Sequence, residues 1–135
     1  MIKPLAIDHI VLRTEHYREL IKFYREVIGC SLERETSADF GLTQLRAGNA
    51  LIDIVDVAGE LGKAGGAAPG PTGNNLDHFC LQIEAFDEAE LIAYLQSHGI
   101  DCGEFHERNG AQGMGRSLYI SDIDGNTVEL RAQTR

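Results

Sequence analysis

The stretch Leu76-Asp77-His78-Phe79-Cys80-Leu81 repeats one near the start of the chain, Ile7-Asp8-His9-Ile10-Val11-Leu12. Each copy is an apolar run opened by Asp-His. Such a run reads as a β-strand, and strand side chains change face at every residue. In the first copy Ile10 and Leu12 point one way, and His9, Val11 and Arg13 the other. A strand needs no histidine, so its recurrence at one position is a first sign of chemistry.

The repeat extends outward from these strands. After the first, Thr14 suits a helix N-cap, and Tyr17, Leu20, Ile21, Tyr24 and Ile28 form an apolar stripe at helical spacing over residues 15–28. Gly29 closes that helix. Strands are expected at 31–35, 40–46 and 50–57, with Gly48-Asn49 as the turn between the last two. After the second copy, Asp87 and Glu90 form a capping box. Leu91, Ile92 and Leu95 make the buried stripe, and Gly99 ends the helix. Strands follow at 101–107, 116–121 and 127–132, with a flexible connection at 108–115 and the turn Asp124-Gly125-Asn126. His9 to Gly29 spans 20 residues and His78 to Gly99 spans 21, and Gly48-Asn49 is matched to Gly125-Asn126. The fold class is therefore α+β: two βαβββ modules, about 6–57 and 76–132, in one domain covering 1–135. Residues 58–75, rich in Gly and Pro, read as a linker or lid. They contain no GxGxxG or GxxxxGK[ST] phosphate motif.

Composition narrows the function. With 135 residues the chain suits one compact domain. A net charge of −9 disfavours nucleic acid and anionic membrane surfaces as partners. No apolar run approaches the roughly 20 residues of a membrane span, and Met1-Ile2-Lys3-Pro4-Leu5 does not resemble a signal peptide. A cytoplasmic location is the expectation. Cys30, Cys80 and Cys102 are an odd number without a CxxC pair, so they read as small apolar residues rather than a disulfide framework or zinc site.

Strand parity then separates core from site. A helix covers one face of each sheet, so that face carries Ile10 and Leu12, Phe79, Leu81 and Ile83, Leu118 and Ile120, and Val128 and Leu130. The opposite face receives His9, Arg13, His78, Cys80, Gln82, Ser117, Tyr119, Ser121, Thr127, Glu129 and Arg131. It is too polar for a core, and a curved sheet bearing it would form a polar cleft for a small molecule. Two imidazoles and a carboxylate suit a divalent metal with open positions. Asp53, the carboxylate in the middle of the 50–57 strand, faces the same way if Ile52 and Ile54 face the helix.

Four segments together resemble the vicinal oxygen chelate superfamily, which includes glyoxalase I, fosfomycin-resistance thiol transferases, methylmalonyl-CoA epimerase, extradiol dioxygenases and bleomycin-binding proteins. They are Ile7–Leu12, Phe23–Gly29, Leu76–Leu81 and Ser117–Leu130, and the resemblance runs over residues 6–132. It implies a curved mixed sheet around a cleft, with metal ligands at His9, His78 and Glu129. The fourth ligand falls near Asp53, but Gly48 to Asp53 is five residues and Gly125 to Glu129 is four. Either a bulge brings Asp53 into place, or Ile52 takes the position and the first module supplies only His9.

The resemblance further implies a divalent ion (Zn, Ni, Co, Mn or Fe) that chelates adjacent substrate oxygens, and a homodimer. The leading expectation is a glyoxalase-like lyase or isomerase in which Glu129 or Asp53 moves a proton and Tyr119 donates to a developing oxyanion. The alternatives are a fosfomycin-type thiol transferase, a small extradiol dioxygenase and a non-catalytic bleomycin-type binder. Arg13, Arg46, Arg116 and Arg131 are the candidates for meeting an anionic substrate group.

Overall fold

The computed structural model describes residues 1–133. The chain divides into two compact units, Met1–Thr72 and Gly73–Arg135. Each is built on a four-stranded mixed sheet, and the two architectures correspond.

In the first unit the strands are β1 (His9–Thr14), β2 (Ser31–Glu35), β3 (Leu42–Ala47) and β4 (Ala50–Asp56), in the spatial order β1-β4-β3-β2. β1 and β4 run parallel, and the other pairs are antiparallel. A parallel pair needs a long crossover, and α1 (Tyr17–Lys22) with the π-helical turn Phe23–Val27 begins it. Leu20 and Tyr24 are fully buried, while Tyr17, Ile21 and Ile28 are half-buried. The expected helix is thus present, but its last turn widens to π geometry. Thr14 is not the residue adjoining the helix: it closes β1. Its hydroxyl still accepts from the His16 N–H at 2.8 Å, satisfying an amide just ahead of the first turn. Gly29, at φ 90°, takes the left-handed conformation that ends the helix.

In the second unit the strands are β5 (His78–Ile83), β6 (His106–Gly110), β7 (Gly113–Ser121) and β8 (Thr127–Ala132), ordered β5-β8-β7-β6. α3 (Glu88–Ser97) is capped by Asp87, whose carboxylate accepts from the Glu90 N–H at 3.0 Å. Leu95 is buried, and Leu91 and Ile92 only partly so. The strand expected at 101–107 lies further on, at His106–Gly110. The supposedly flexible 108–115 is a tight hairpin, Gly110 pairing with Gly113 across Ala111 and Gln112. A glycine-rich run reads as loop by composition, but here glycines serve packing, as shown below.

Residues 58–75 are not all irregular. A short helix, α2 (Glu60–Lys63), follows β4, and Arg13 ties the segment beyond it to β1. Its guanidinium donates to the carbonyls of Gly62 (3.0 Å), Gly66 (2.7 Å) and Ala67 (3.1 Å). A Cβ on Gly65 would come within 2.3 Å of Arg13 Nε, so the seat exists only because that position lacks a side chain.

Parity sorts the core as expected on most strands, while Ile10, Phe79, Leu81 and Ile83 are only half-buried. Leu12, Ile52 and Ile54 are buried in the first unit, and Leu118, Ile120, Val128 and Leu130 in the second. Removing each such side chain from water is worth about 1.5–3 kcal/mol. The polar face is less open than its composition suggests, since Ser117, Asp53, Glu129 and Arg131 are each 5% exposed or less. Among the described residues no helix is long and apolar enough to cross a membrane.

Candidate functional site

The parallel ladders place the ligand-type residues. On β1 and β4, His9 lies opposite Leu51 and Val11 opposite Asp53. On β5 and β8, His78 lies opposite Thr127 and Cys80 opposite Glu129. Each carboxylate therefore faces the residue two positions after a histidine, on the histidine's own side of the sheet. No register shift interrupts either ladder of β4, and Ile52 is buried at 2% exposure, on the core side. Asp53, not Ile52, is the counterpart of Glu129.

The one-residue mismatch counted from the turn glycines has a simple cause. Ala47 pairs with Ala50 across two residues, Gly48 and Asn49. Ser121 pairs with Thr127 across five, 122–126. That longer turn is organised by Asp122, whose Oδ1 accepts from the N–H groups of Asp124 and Asn126, both at 2.9 Å. Gly48 and Gly125 are not equivalent positions, so counting from them gives the wrong offset.

Both histidines are oriented by the residue before them. His9 Nδ1 lies 2.7 Å from Asp8 Oδ1, and His78 Nδ1 lies 2.8 Å from Asp77 Oδ2. A carboxylate on Nδ1 fixes the ring and leaves Nε2 as the working nitrogen, the arrangement common behind metal-binding imidazoles. His78 Nε2 is 3.2 Å from Glu129 Oε1. The His9 imidazole has its pKa raised, first by the hydrogen bond to Asp8 and then by the charge of Asp53.

The two carboxylates share an uncommon state. Asp53 is 4% exposed; Oδ2 accepts from Gln44 Nε2 at 3.1 Å, while Oδ1 is buried without a hydrogen-bond partner. Glu129 is 5% exposed, and its Oε2 likewise lacks a hydrogen bond. The nearest cation to that oxygen is Arg131 Nη1 at 3.9 Å, an ion-pair distance beyond hydrogen-bond reach. A buried carboxylate oxygen without a hydrogen bond costs about 1–3 kcal/mol or more, and such atoms call for an explanation. A cation bound there would supply one. Neutral imidazole with carboxylate suits a divalent ion, so the donor chemistry fits. In neither unit, among the described residues, do three or more His, Cys, Asp or Glu side chains gather into one group. Each unit presents a pair: His9 with Asp53, and His78 with Glu129.

Tyr119 on β7 pairs with Glu129 on β8, as Gln44 on β3 pairs with Asp53 on β4. Its ring meets the His78 imidazole edge-on, with centroids 5.1 Å apart. Above the Tyr119 ring lies the guanidinium of Arg108, 4.3 Å from the centroid. A hollow of about 470 Å³ in the first unit, lined by Asp39, Asp56, Glu60 and Lys63 among others, includes neither His9 nor Asp53.

The arginines expected to meet an anion are engaged elsewhere. Arg13 holds backbone carbonyls, Arg46 pairs with Glu33 at 3.0 Å, and Arg116 pairs with Glu88 at 2.6 Å. Arg131 donates to the carbonyls of Gly113 (2.9 Å) and Arg108 (3.4 Å). It sits where a Cβ on Gly110 or Gly115 would come within 2.0 or 2.6 Å of its guanidinium. Sequence reasoning missed Asp8, Asp77, Gln44 and Arg108. The repeated Asp-His dipeptide carried a signal for the first two, and strand parity opposite Asp53 one for Gln44. Nothing in the sequence marks Arg108.

Comparison with known proteins agrees with this fold. None of the curated proteins matches the chain. Among solved structures, a virulence protein of Salmonella typhimurium superposes with a TM-score of 0.73 at 28% identity, covering 99% of this chain and 100% of the other. A lactoylglutathione lyase of Agrobacterium tumefaciens gives 0.67 at 23% identity, covering 96% and 94%. A variant of the fosfomycin resistance protein FosX of Listeria monocytogenes, complexed with Mn(II) and 1S,2S-dihydroxypropylphosphonic acid, gives 0.68 at 21% identity, covering 99% and 95%. The model of the Glyoxalase/Bleomycin resistance protein/Dioxygenase superfamily matches residues 6–130. With two βαβββ units and that match over nearly its whole length, the chain belongs to the glyoxalase/bleomycin resistance protein/dioxygenase superfamily.

Proposed function

We propose that the protein is a divalent-metal-dependent lyase or isomerase of the glyoxalase type, acting on a small substrate with adjacent oxygens. His9, Asp53, His78 and Glu129 are the metal ligands of this reading, paired within each unit as His9 with Asp53 and His78 with Glu129. The observation that carries this reading is the pair of buried carboxylate oxygens without hydrogen-bond partners, Asp53 Oδ1 and Glu129 Oε2, at equivalent register beside equivalent histidines. The Mn(II) of FosX and the lyase activity named for the Agrobacterium protein support it by analogy.

When bound, such an ion supplies Lewis acidity, lowering the cost of negative charge on a substrate oxygen by several kcal/mol. The remaining work falls to the side chains. Asp8 and Asp77 hold the two imidazoles in one orientation, so that Nε2 needs no reorganisation. Glu129 is the group that accepts and returns a substrate proton: it is buried, and its Oε2 has no hydrogen-bond partner among the described residues. Tyr119, edge-on to His78, donates a hydrogen bond to an oxygen that gains negative charge.

Elemental analysis of protein dialysed against Zn, Ni or Mn salts tests this reading. Near-stoichiometric metal, lost on His78→Ala, is the expected result. Metal far below one atom per chain, unchanged by His78→Ala, would overturn it.

A further inference from the structure

We propose that Arg108 is the anchor for an oxyanion group, a carboxylate or phosphonate, on the molecule this site receives. The inference rests on the reading of Tyr119, His78 and Glu129 as the site, and extends it to the chemical class of the substrate.

Between residues 73 and 133 the chain has three arginines and no lysine, against eleven carboxylates. Such a surface repels anions except where a cation stands uncompensated. Arg116 is neutralised by a two-point pair with Glu88, Nε at 2.9 Å and Nη2 at 2.6 Å. Arg131 is buried, donates through Nη2 to two carbonyls and has Nη1 3.9 Å from Glu129 Oε2, so its charge is already paired. Arg108 differs: among the described residues no carboxylate lies within ion-pair distance of it.

Its position is fixed nonetheless. Nη1 donates to the Ser117 carbonyl at 2.5 Å and to Ser117 Oγ at 3.0 Å. The guanidinium plane is further held by the Tyr119 ring, at a distance where cation–π attraction operates. Arg131 steadies the backbone beneath by donating to the Arg108 carbonyl. One nitrogen is thus committed to Ser117, and Nε and Nη2 have no acceptor among the described residues. A half-buried, pre-oriented guanidinium with two donors to spare is suited to a planar or tetrahedral oxyanion. Arg108, Tyr119, His78 and Glu129 form one continuous chain of contacts. A ligand that meets Glu129 and Tyr119 with its oxygens would therefore lie beside the Arg108 guanidinium.

Binding to metal-free protein is the test, followed by NMR shifts of the His78 and Tyr119 rings. The probes are glycolate, hydroxymethylphosphonate and, as a neutral control, ethylene glycol. Both or either of the anions should bind, with the preferred one identifying the group, and ethylene glycol should not. Arg108→Gln should weaken anion binding about 10- to 100-fold. Arg108→Lys should restore part of it, and Arg116→Gln should leave it unchanged. Anion binding of wild-type strength in Arg108→Gln protein with wild-type circular dichroism overturns the proposal, as does failure of both anions to bind the wild type. Arg108-dependent binding in protein that takes up no metal keeps the anchor and removes the metal reading. Metal uptake without Arg108-dependent binding does the reverse.

Discussion

Asp53 occupies in the first unit the place that Glu129 occupies in the second, each standing across a parallel ladder from the residue two positions past a histidine. The equivalence predicts equal standing toward a metal. Asp53→Asn and Glu129→Gln should each lower metal affinity by more than about 100-fold, within about tenfold of one another. Competition with a chromophoric chelator measures this. An Asp53→Asn protein with wild-type affinity would show that the shorter side chain serves only to hold Gln44.

Asp8 and Asp77 touch the far nitrogen of their imidazoles. Asp8→Asn and Asp77→Asn should weaken metal binding by about 10- to 100-fold while leaving the thermal unfolding temperature nearly unchanged, because both carboxylates are exposed. Equal losses from the two substitutions would confirm that both units orient their histidines for one purpose.

Glu88 links the first turn of α3 to β7 through Arg116, whose guanidinium holds the Glu88 carboxyl below its ordinary pKa. A carboxylate with a depressed folded pKa adds stability above its unfolded pKa and loses that contribution as pH falls through the folded value. Glu88→Gln should therefore melt slightly below wild type at pH 7, with the difference vanishing by about pH 3. The gap should also narrow in roughly 1 M salt, since the pair is exposed. Melting curves at the two pH values decide it.

Arg13 fastens the segment after α2 to β1 through three carbonyls. Arg13→Ala and Gly65→Ala should both release it, the first by deleting the donor and the second by filling its seat. Limited proteolysis should then cut between residues 62 and 72 faster than in wild type, with the two sheets intact by circular dichroism. Unchanged cleavage in both variants would mean that the segment is held by something else.

The repeat, the sheet faces and the two histidines were legible because they depend on period-two alternation, which sequence displays directly. Ile52 and Leu118 declare the core side, so His9, His78 and Glu129 are placed by default. Asp53 was ambiguous because loop length enters the count: a two-residue and a five-residue turn both contain a Gly-Asn pair. β6 was misplaced because glycines at 110, 113 and 115 look like disorder in composition, whereas 110 and 115 make room for the Arg131 guanidinium. The roles of Arg108 and Arg131 depend on which way long side chains reach across a hairpin, and that is set by packing rather than by local sequence.

The seat of Arg131 also binds distant positions to a common fate. Gly110 and Gly115 are tolerable in strands, where glycine is ordinarily a weakness, only while the arginine fills the space they leave. A lineage that gave the arginine up would be free to place larger residues at both glycines; one that enlarged either glycine would displace the arginine from its carbonyl partners. These three positions should therefore drift together through descent, and the hairpin that carries Arg108 can be remodelled only by substitutions that arrive as a set.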